Sequence, residues 1–560
     1  MNLSLAAWQK YLLFFISFCL VAFGQPLWSV FLSLVTAGIG FALFWRGLLS
    51  VESAKERFCI AMGWYAGVQV VQLSWFISHP YSYIYAVLFF CIWLMGLQWG
   101  ILAIWIRPST FRSGIALVGL AGLWVCLEWS RLFVLTGLPF NPVGLTLSAG
   151  LYPLQLATIG GVYGLSFWVI LTNLLGLRAW LHRSTINRWS VWGAVLIFPY
   201  VFGWLHFHGQ QGALAKQKET IQVALVQSAL PIEESMQFQS AEEARAFVLA
   251  EWSQILGTLT KQQVKLIDLI VFPEYVVPYG TYYAVFPVQE VNQLFTHLFP
   301  QMTIHFPPLI APYAEWIETN HGFEWLVTNA YLAQTVANSF QAHVVIGLED
   351  NLMHPESDLK KEIYSAALHF APNNLPAKRY EKRVLVPMGE YIPFNWCRQL
   401  AARYGITGSF TCGQQAQLFE GPVPFGASIC YEEIYGDLMR ENRLKGAELL
   451  VNVTNDGWYP HSTLPQQHFD HVRLRTVENG IPLVRACNTG ITGAIDSSGQ
   501  ILAVLGDGSK KAQEIPDSLL VTVPTYHYRT FYSQYGDFPI LSFSFFCWIG
   551  SLVVSFYRKL

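Results

Sequence analysis

Three reactive side chains stand beside short apolar runs of the chain. Glu274 and Cys430 each follow such a run, and Lys382 leads into one. A carboxylate can take the proton of a thiol, the thiolate can attack a carbonyl carbon, and an ammonium group can stabilise the resulting oxyanion. Taken singly, each has a structural alternative: a strand-end carboxylate, a surface lysine, or a cysteine buried as a small apolar residue. The combination predicts covalent acyl chemistry on Cys430.

Short β-rich runs alternate with longer, more polar stretches in the region that carries these residues. The pattern predicts strands at 222–227, 269–272, 343–347, 366–370, 425–429, 449–453, 483–487 and 519–523, a hairpin around 497–500, and helices at about 239–262 and 465–479. Loops at strand ends commonly hold catalytic groups. The alternation therefore predicts a layered α/β domain with buried sheets that positions the three side chains.

The composition indicates that this domain is attached to a membrane. The chain has 560 residues, of which 53% are hydrophobic and 12% charged, about half the usual share of charge. Apolar segments of near-spanning length lie at 11–24, 27–45, 58–77, 83–106, 114–136, 159–181, 190–207 and 538–556. No convincing cleavage site follows the first segment, so we expect it to be retained. The sequence predicts about eight spans.

Lysine and arginine residues in the connections give the orientation. They lie between the second and third, the fourth and fifth, and the sixth and seventh segments, and the alternate connections at 25–26, 78–82 and 138–158 contain none. The positive-inside rule then places both termini in the cytoplasm. We expect a transmembrane bundle at 1–207, an extracytoplasmic catalytic domain at 208–537, periplasmic in a bacterium, and a final span at 538–560.

The overall charge and the cysteines exclude other classes. A net charge of −2 offers no basic face for a nucleic acid. The nine cysteines include no CxxC pair or zinc-type spacing. A disulfide between Cys397 and Cys412 remains open at this point.

Two further polar groups have competing interpretations. Glu128 and Arg131 share one helix face within the fifth segment, where they either pair with each other, face the bundle interior or contact substrate. A polar stretch carries three histidines and an aspartate that could form a metal cluster: His461, His468, Asp470 and His471. We favour a structural pair for the first group and hydrogen-bonded structural histidines for the second.

Several motifs in order carry a family resemblance. They lie at 136–142, 160–167, 385–391, 429–432, 455–458 and 467–469. With Glu274, Lys382 and Cys430, the chain resembles the nitrilase superfamily and, much more closely, its membrane-embedded branch, the apolipoprotein N-acyltransferases. The resemblance implies an α-helical membrane bundle joined to an α-β-β-α sandwich.

The resemblance also implies an activity. An acyl chain would pass from a phospholipid, preferentially phosphatidylethanolamine, to Cys430 as a thioester, and then to the α-amine of S-diacylglyceryl cysteine in an apolipoprotein. The reaction would take place in the bacterial inner membrane without a metal, nucleotide or other cofactor. By the same resemblance Glu390, Tyr431 and Glu432 support the site, with Glu390 near Lys382 and Glu432 behind the nucleophile.

The sequence departs from the family pattern in three places. Residues 228–232 replace the usual continuation of the first strand, and Met236 stands near the position of a functional tryptophan, for which Phe238 is a possible substitute. The turn at 138–140 is Leu-Pro-Phe, where the family commonly has Phe-Pro-Trp. An insertion separates Glu274 from Lys382. It is rich in aromatic residues and has no lysine or arginine at 266–359, so it is either a lid at the membrane interface or an extra packed layer.

Two other functions use parts of the same pattern. A membrane-tethered hydrolase would have the same three residues but would admit water to the acyl-enzyme. A scaffold or transporter would need none of them. The preceding spans disfavour a hydrolase of soluble substrates, and the intact set of three disfavours a scaffold.

Overall fold

The computed structural model describes residues 5–182, 186–231, 238, 240–262, 265–319, 322–353, 361–403 and 409–557. Its α-helices in chain order are α1 Ala7–Ala22, α2 Val30–Val35, α3 Phe41–Leu48, α4 Ala54–Gln72, α5 Ile84–Ile104, α6 Gly114–Trp129, α7 Leu145–Ser148, α8 Leu151–Leu154, α9 Ala157–Leu181, α10 Ile186–Leu214, α11 Ala241–Leu259, α12 Val288–Leu298, α13 Asn329–Phe340, α14 Arg398–Ala402, α15 Gly436–Leu444, α16 Leu464–Asn479, α17 Phe531–Tyr535 and α18 Phe538–Tyr557.

In the sequence, the strands come after α10 and before α17. They are β1 Thr220–Gln227, β2 Leu269–Val271, β3 Phe286–Pro287, β4 Ala314–Thr319, β5 Gly322–Val327, β6 His343–Met353, β7 Lys361–Ala371, β8 Asn374–Glu381, β9 Leu418–Phe419, β10 Phe425–Ile429, β11 Leu449–Thr454, β12 Leu483–Cys487, β13 Gly493–Ile495, β14 Ile501–Val504 and β15 Asp517–Pro524. Each predicted strand corresponds to one of these, and both predicted helices are present as α11 and α16.

The chain divides into two compact units. The helical unit comprises Met1–Lys216, His461–Gly480 and Arg529–Leu560, and the sheet unit comprises Gln217–Pro460 and Ile481–Tyr528. The boundaries of the units lie at 216/217 and 528/529, where we expected 207/208 and 537/538. In addition, α16 groups with the apolar helices although strands precede and follow it in the sequence. The side of the membrane on which the sheet unit lies stays a prediction.

The helical unit contains the expected apolar segments as helices. Within the described residues, five helical stretches are long and apolar enough to cross a membrane: Val30–Leu48, Ile84–Ile104, Gly114–Phe133, Ala157–Leu181 and Ile186–Leu214. Two shorter apolar helices, Ala7–Ala22 and Phe538–Val554, match the first and last predicted segments. The segment predicted at 58–77 is helical as α4, whose first turn contains Lys55, Glu56 and Arg57. The count of eight spans therefore stays a prediction.

Buried polar residues of the helical unit have partners other than those we expected. Glu128 accepts a hydrogen bond from the Val143 backbone N–H at 2.8 Å, and Arg131 donates to Gln98 at 2.6 Å. The two side chains face the bundle interior at 2% and 1% exposure, but their hydrogen bonds are not to each other. The Glu128 contact ties α6 to the turn that follows it, because it satisfies the backbone N–H of Val143 in that turn.

The histidines of α16 do not assemble a metal site in the described part of the chain. No group of three histidine, cysteine or acidic side chains there has the arrangement of a metal centre. The His468 ring instead stacks on Phe140, with ring centroids 6.0 Å apart. On the same helix, Arg475 forms an ion pair with Glu478 at 3.2 Å. The two residues are three positions apart, which places them on the same face of the helix.

Two six-stranded sheets form the centre of the sheet unit. The first has the order β15-β1-β2-β6-β7-β8 and the second the order β14-β13-β12-β11-β10-β9. In each sheet three neighbouring strands are parallel, β1, β2 and β6 in one and β10, β11 and β12 in the other, and antiparallel strands flank them. The carboxyl ends of parallel strands meet at one edge of a sheet, which is where ligands commonly bind in α/β folds.

The sheets pack face to face and a helical layer covers each outer side. Val223 and Leu225 of β1 contribute to the core shared with β10 and β11, while Ala224 and Val226 contribute to the core that contains α11 and α13. Burial of both faces explains why these strands are continuous apolar runs. On the second sheet, a Cβ on Gly426 would clash with Asn442, so the glycine lets α15 approach β10 closely. The result is the α-β-β-α order that the resemblance implied.

The insertion after Glu274 is largely a packed layer. It forms α12 and a small antiparallel sheet of the order β3-β5-β4. Phe286, Val291, Phe295 and Val327 are buried in the same core as α11. At the far end of the hairpin, the side chains of β4 and β5 become exposed. The packed-layer alternative therefore describes most of this segment.

Candidate active site

Cys430 stands in a strained position at the end of β10. Its φ is 54°, a left-handed conformation that is uncommon for a residue with a side chain, and the chain turns there into a short 3₁₀ helix, Cys430–Ile434. The Asn452 side chain fixes the turn, since it donates to the Cys430 carbonyl at 3.1 Å and to Ser428 Oγ at 3.0 Å. The residue is partly exposed. Strain of this kind is typical of functional sites.

Lys382 follows β8 directly and lies between two carboxylates. Its Nζ donates to Glu274 Oε1 at 2.9 Å and to Glu390 Oε1 at 2.6 Å, and its side chain is fully buried. The backbone holds it on both sides, because Lys382 N donates to the Ser365 carbonyl and Gly413 N donates to the Lys382 carbonyl. Two of the three ammonium protons are thus engaged by carboxylates, which leaves one for a bound group.

Glu274 lies three residues after the end of β2, and its backbone packs against Gly347 of β6. Gly347 N donates to the Pro273 carbonyl at 3.0 Å, and Val276 N donates to the Gly347 carbonyl at 3.2 Å. A Cβ on Gly347 would lie 2.6 Å from the Glu274 Cα, so a glycine is required for this approach. The backbone of Glu274 is therefore fixed by the neighbouring strand.

The three residues are electrostatically coupled. Burial raises the pKa of Glu274 to about 7, the Lys382 charge opposes this shift, and the Glu390 charge reinforces it. Burial and the nearby Glu274 charge raise the pKa of the Cys430 thiol well above its ordinary value. Burial would lower the pKa of Lys382, but Glu274 and Glu390 raise it well above its ordinary value. The resting site accordingly holds a thiol, an ammonium group and a carboxylate able to accept a proton near neutral pH.

Glu432 joins the two chain segments that carry the reactive groups. Its Oε1 accepts from the backbone N–H of Arg383 at 2.6 Å and of Val384 at 3.0 Å. Its Oε2 accepts from Ile429 N at 2.8 Å and from the Tyr380 hydroxyl at 2.9 Å. Since Ile429 precedes Cys430 and Arg383 follows Lys382, this one carboxylate fixes the distance between thiol and ammonium.

Tyr431 supports the same region from the other side of the nucleophile. Its hydroxyl donates to the Leu385 carbonyl at 2.9 Å, and the Lys382 Nζ lies 5.8 Å from its ring centroid. Glu390 completes the support, because its Oε2 accepts from Val386 N at 2.9 Å while its Oε1 binds Lys382. The structure thus brings together all six residues for which the sequence suggested a site.

A second ionic cluster behind the nucleophile was not anticipated. Arg485, on β12, pairs with Glu433 at 3.1 Å and with Asp456 at 3.1 Å, and its side chain is fully buried. It also donates to Cys487 Sγ and to the Ile491 carbonyl. Glu433 belongs to the turn after Cys430 and Asp456 to the loop after β11. The signal in the sequence is Arg485 itself, which is the one charged residue of an otherwise apolar strand. A buried cation requires anionic partners, so its presence there predicts nearby carboxylates.

The remaining residues singled out in the sequence do not belong to the cluster of Glu274, Lys382 and Cys430. Met236 lies outside the described residues, and the Phe238 ring packs against Phe247 with centroids 5.6 Å apart. Cys397 and Cys412 are both free thiols, so the disulfide that the sequence left open is not formed. The Cys412 thiol donates to the Arg383 carbonyl at 2.7 Å.

Known families match both parts of the chain. The carbon-nitrogen hydrolase family matches residues 222–516, which include the two large sheets and the Glu274, Lys382 and Cys430 positions. The apolipoprotein N-acyltransferase N-terminal domain matches residues 17–175, within the helical unit. The sheet unit thus belongs to the class of carbon-nitrogen hydrolases, here joined to membrane helices.

Individual relatives extend over nearly the whole chain. The apolipoprotein N-acyltransferase of Chlamydia pneumoniae is 31% identical over 551 residues, which cover 95% of this chain and 95% of that protein. The enzyme of the same name from Chlamydia muridarum is 32% identical over 550 residues, which cover 94% and 93%. Among solved structures, Saccharomyces cerevisiae Nit3 is 17% identical, covers 55% of this chain and 90% of its own, and has a TM-score of 0.35.

The chain belongs to the apolipoprotein N-acyltransferase family. Membership makes it an acyltransferase of lipoprotein biosynthesis with a nitrilase-like domain. Its apolar helices agree with a membrane enzyme.

Proposed function

We propose that this protein transfers a fatty acyl chain from a phospholipid to the N-terminal α-amine of S-diacylglyceryl cysteine in apolipoproteins, through a thioester on Cys430. The observation that carries the proposal is the buried ammonium of Lys382, 2.9 Å from Glu274 and 2.6 Å from Glu390. It lies in electrostatic contact with a partly exposed thiol, in a chain of this family. Covalent acyl transfer needs this combination of acid-base groups and nucleophile.

In the first half-reaction Glu274 accepts the Cys430 proton as sulfur attacks the ester carbonyl of the phospholipid. The carbon-sulfur bond forms, and the tetrahedral oxyanion is stabilised by the unengaged N–H of Lys382. When the carbon-oxygen bond breaks, Glu274 returns the proton to the departing alkoxide and the lysophospholipid leaves. Phosphatidylethanolamine is the proposed donor.

In the second half-reaction the acceptor amine, in its uncharged form, attacks the thioester carbon. The carbon-nitrogen bond forms, one amine proton passes to Glu274, and the carbon-sulfur bond breaks. Glu274 then returns the proton to the Cys430 sulfur. A thioester suits both steps, because sulfur is a good nucleophile and a good leaving group. These steps use only side chains of this protein and its two substrates.

The support of the site follows from the contacts of three further residues. Glu390 orients Lys382, Glu432 sets the distance between Lys382 and Cys430, and Tyr431 holds the segment after Lys382. We place the enzyme in the bacterial inner membrane with eight spans. The loop charges predict cytoplasmic termini and a periplasmic sheet unit.

Labelled phosphatidylethanolamine distinguishes this function from hydrolysis. Purified protein is incubated with the lipid, with and without a diacylglyceryl lipopeptide, and the label is followed. Acylation of the protein and its transfer to the peptide α-amine is the expected result. Release of free fatty acid without transfer would instead make the protein a hydrolase. The absence of any product would contradict a catalytic function. Cys430→Ala serves as the matched control in each arm.

A further inference from the structure

Three residues with side chains adopt left-handed backbone conformations around the site. They are Tyr275 with φ 46°, Met388 with φ 65° and Cys430 with φ 54°. Cys430 is the nucleophile and Met388 lies in the turn that presents Glu390. Such conformations carry a steric cost and tend to persist where function requires them. Tyr275 has no part in the mechanism described so far, which leaves its conformation unexplained.

The left-handed turn gives Tyr275 access to the same site as Glu274. Successive side chains of an extended chain point to opposite faces, so an ordinary strand would separate these two neighbours. Here Glu390, Glu274 and Lys382 all lie within electrostatic reach of the Tyr275 hydroxyl. The Tyr275 ring packs against Phe410, with centroids 5.8 Å apart, and Phe410 N donates to the Glu390 carbonyl at 2.8 Å.

The Tyr275 hydroxyl is buried and has no hydrogen-bond partner among the described residues. Ser365 is close enough to influence it, but the two hydroxyls do not form a hydrogen bond of ordinary geometry. A buried hydroxyl without a partner is costly, and in an active site the missing partner is commonly a substrate. The ring remains held by Phe410, so the hydroxyl is fixed before any ligand arrives.

The charges around this hydroxyl indicate which substrate group it meets. Glu390 and Glu274 present acceptor oxygens, and the Lys382 ammonium is already directed at both of them. A carbonyl or phosphoryl oxygen entering here would face carboxylate oxygens, whereas an amine brings N–H donors that these oxygens and the phenol oxygen can accept. This part of the site therefore complements a primary amine.

We propose that the Tyr275 hydroxyl binds the α-amine of the acceptor in the second half-reaction. The proposal rests on the proposed function and adds to it the binding site of the acceptor amine. The Tyr275 oxygen accepts one amine N–H and so directs the nitrogen lone pair at the thioester carbon, while another amine proton passes to Glu274 as the carbon-nitrogen bond forms. Tyr275 gains and loses no proton, because burial raises the pKa of its hydroxyl well above the ordinary value and keeps it neutral.

Separate measurement of the two half-reactions tests this role. Tyr275→Phe in the full-length purified protein removes only the hydroxyl and keeps the ring against Phe410. With labelled phosphatidylethanolamine, we expect Cys430 to be acylated at the wild-type rate. When the acylated variant is mixed with a diacylglyceryl lipopeptide, the loss of thioester should be slower by about tenfold, the effect of one lost hydrogen bond of favourable strength. Tyr283→Phe, which changes an exposed hydroxyl of the same segment, should leave both rates unchanged.

The other outcomes overturn the inference in distinguishable ways. Equal losses in both half-reactions would place the hydroxyl at the acyl carbonyl, and wild-type rates in both would make it structural. Thermal unfolding checks that Tyr275→Phe is folded. If Tyr275→Phe does not fold, Tyr275→Leu, which also removes the hydroxyl and keeps an apolar side chain at position 275, provides a second test. If wild-type protein forms no thioester from the lipid, the proposed function itself fails, and this inference with it.

Discussion

Lys382 and Arg485 are both fully buried cations with two carboxylate partners, yet only one of them faces a reactive group. Lys382 lies between Glu274 and Glu390 and has one N–H beyond those two contacts. Arg485 lies between Glu433 and Asp456 and also donates to Cys487 and to the Ile491 carbonyl. The lysine cluster thus retains a donor for substrate, whereas the arginine fork uses its donors to join protein segments.

Each cluster also contains a cysteine, and the comparison extends to these thiols. Cys430 is partly exposed and has a strained backbone directly after β10, while Cys487 is buried as the last residue of β12 and has no such strain. Burial raises the pKa of both thiols. What separates them is access to substrate and the neighbouring base, and not the tendency of the free thiol to ionise. Reactivity in this domain therefore depends on the geometry at the strand ends.

The largest expected effect distinguishes the two thiols. Cys430→Ala should abolish both half-reactions, because no other group at that strand end can form the covalent intermediate. Cys487→Ala and Cys412→Ala should retain acylation, measured as incorporation of labelled acyl chain into the protein. Loss of acylation in Cys412→Ala with normal folding would show that the wrong thiol has been assigned.

The second effect concerns the partners of Lys382. Glu274→Gln keeps the shape of the side chain but removes the proton acceptor, so thioester formation should fall by about 10²- to 10⁴-fold. Lys382→Arg should also fail, since a planar fork cannot replace a compact ammonium group between the same carboxylates. Single-turnover acylation measures both variants. Near wild-type rates would mean that the cluster, like that of Arg485, is structural.

The Arg485 cluster should respond in stability first. Arg485→Met leaves Glu433 and Asp456 buried without their cation, and removal of one partner from a buried ion pair typically costs about 3–5 kcal/mol. Denaturant or thermal unfolding of the purified protein measures the loss. Lys261→Met breaks an exposed pair with Asp517 and should change stability by about 1 kcal/mol or less. Equal effects of the two substitutions would contradict a central role for Arg485.

Much of this arrangement was predictable from the sequence, and the exceptions have physical reasons. Apolar runs revealed the central strands of both sheets because both of their faces are buried. β8, which leads to Lys382, was missed because most of its side chains are exposed or half-buried along an edge strand, so its sequence, NLPAKRYE, has no apolar period. β3 was missed because it has only two residues, and β4 and β5 because most of their side chains are exposed or half-buried, so their sequences also lack an apolar run.

The site was predictable in part for a different reason. Glu274, Lys382 and Cys430 follow from residue type, position beside apolar runs and family motifs. The Tyr275 backbone conformation gives no signal in the sequence, because a left-handed tyrosine depends on tertiary contacts. The bond network of Glu432 likewise joins segments 48 and 49 residues apart in the chain, a pairing that only the fold creates.

The smallest expected effect is a displacement of the pH profile. The rate of thioester formation should rise with pH through about 7, because the base must be deprotonated and burial raises the pKa of Glu274 to about that value. The Glu390 charge contributes to this rise in pKa, so Glu390→Gln should move the profile to lower pH. A profile that moves to higher pH, or does not move, would show that Glu390 acts on Glu274 only through the position of Lys382.

Mass spectrometry of the acylated protein identifies the residue that carries the acyl chain. Wild-type protein is incubated with phosphatidylethanolamine of defined acyl chains, digested, and the peptide that contains Cys430 is analysed before and after neutral hydroxylamine. We expect one added acyl mass on Cys430 that hydroxylamine removes, as it does from thioesters. An adduct that maps to another residue, or one on Cys430 that survives hydroxylamine, would contradict it.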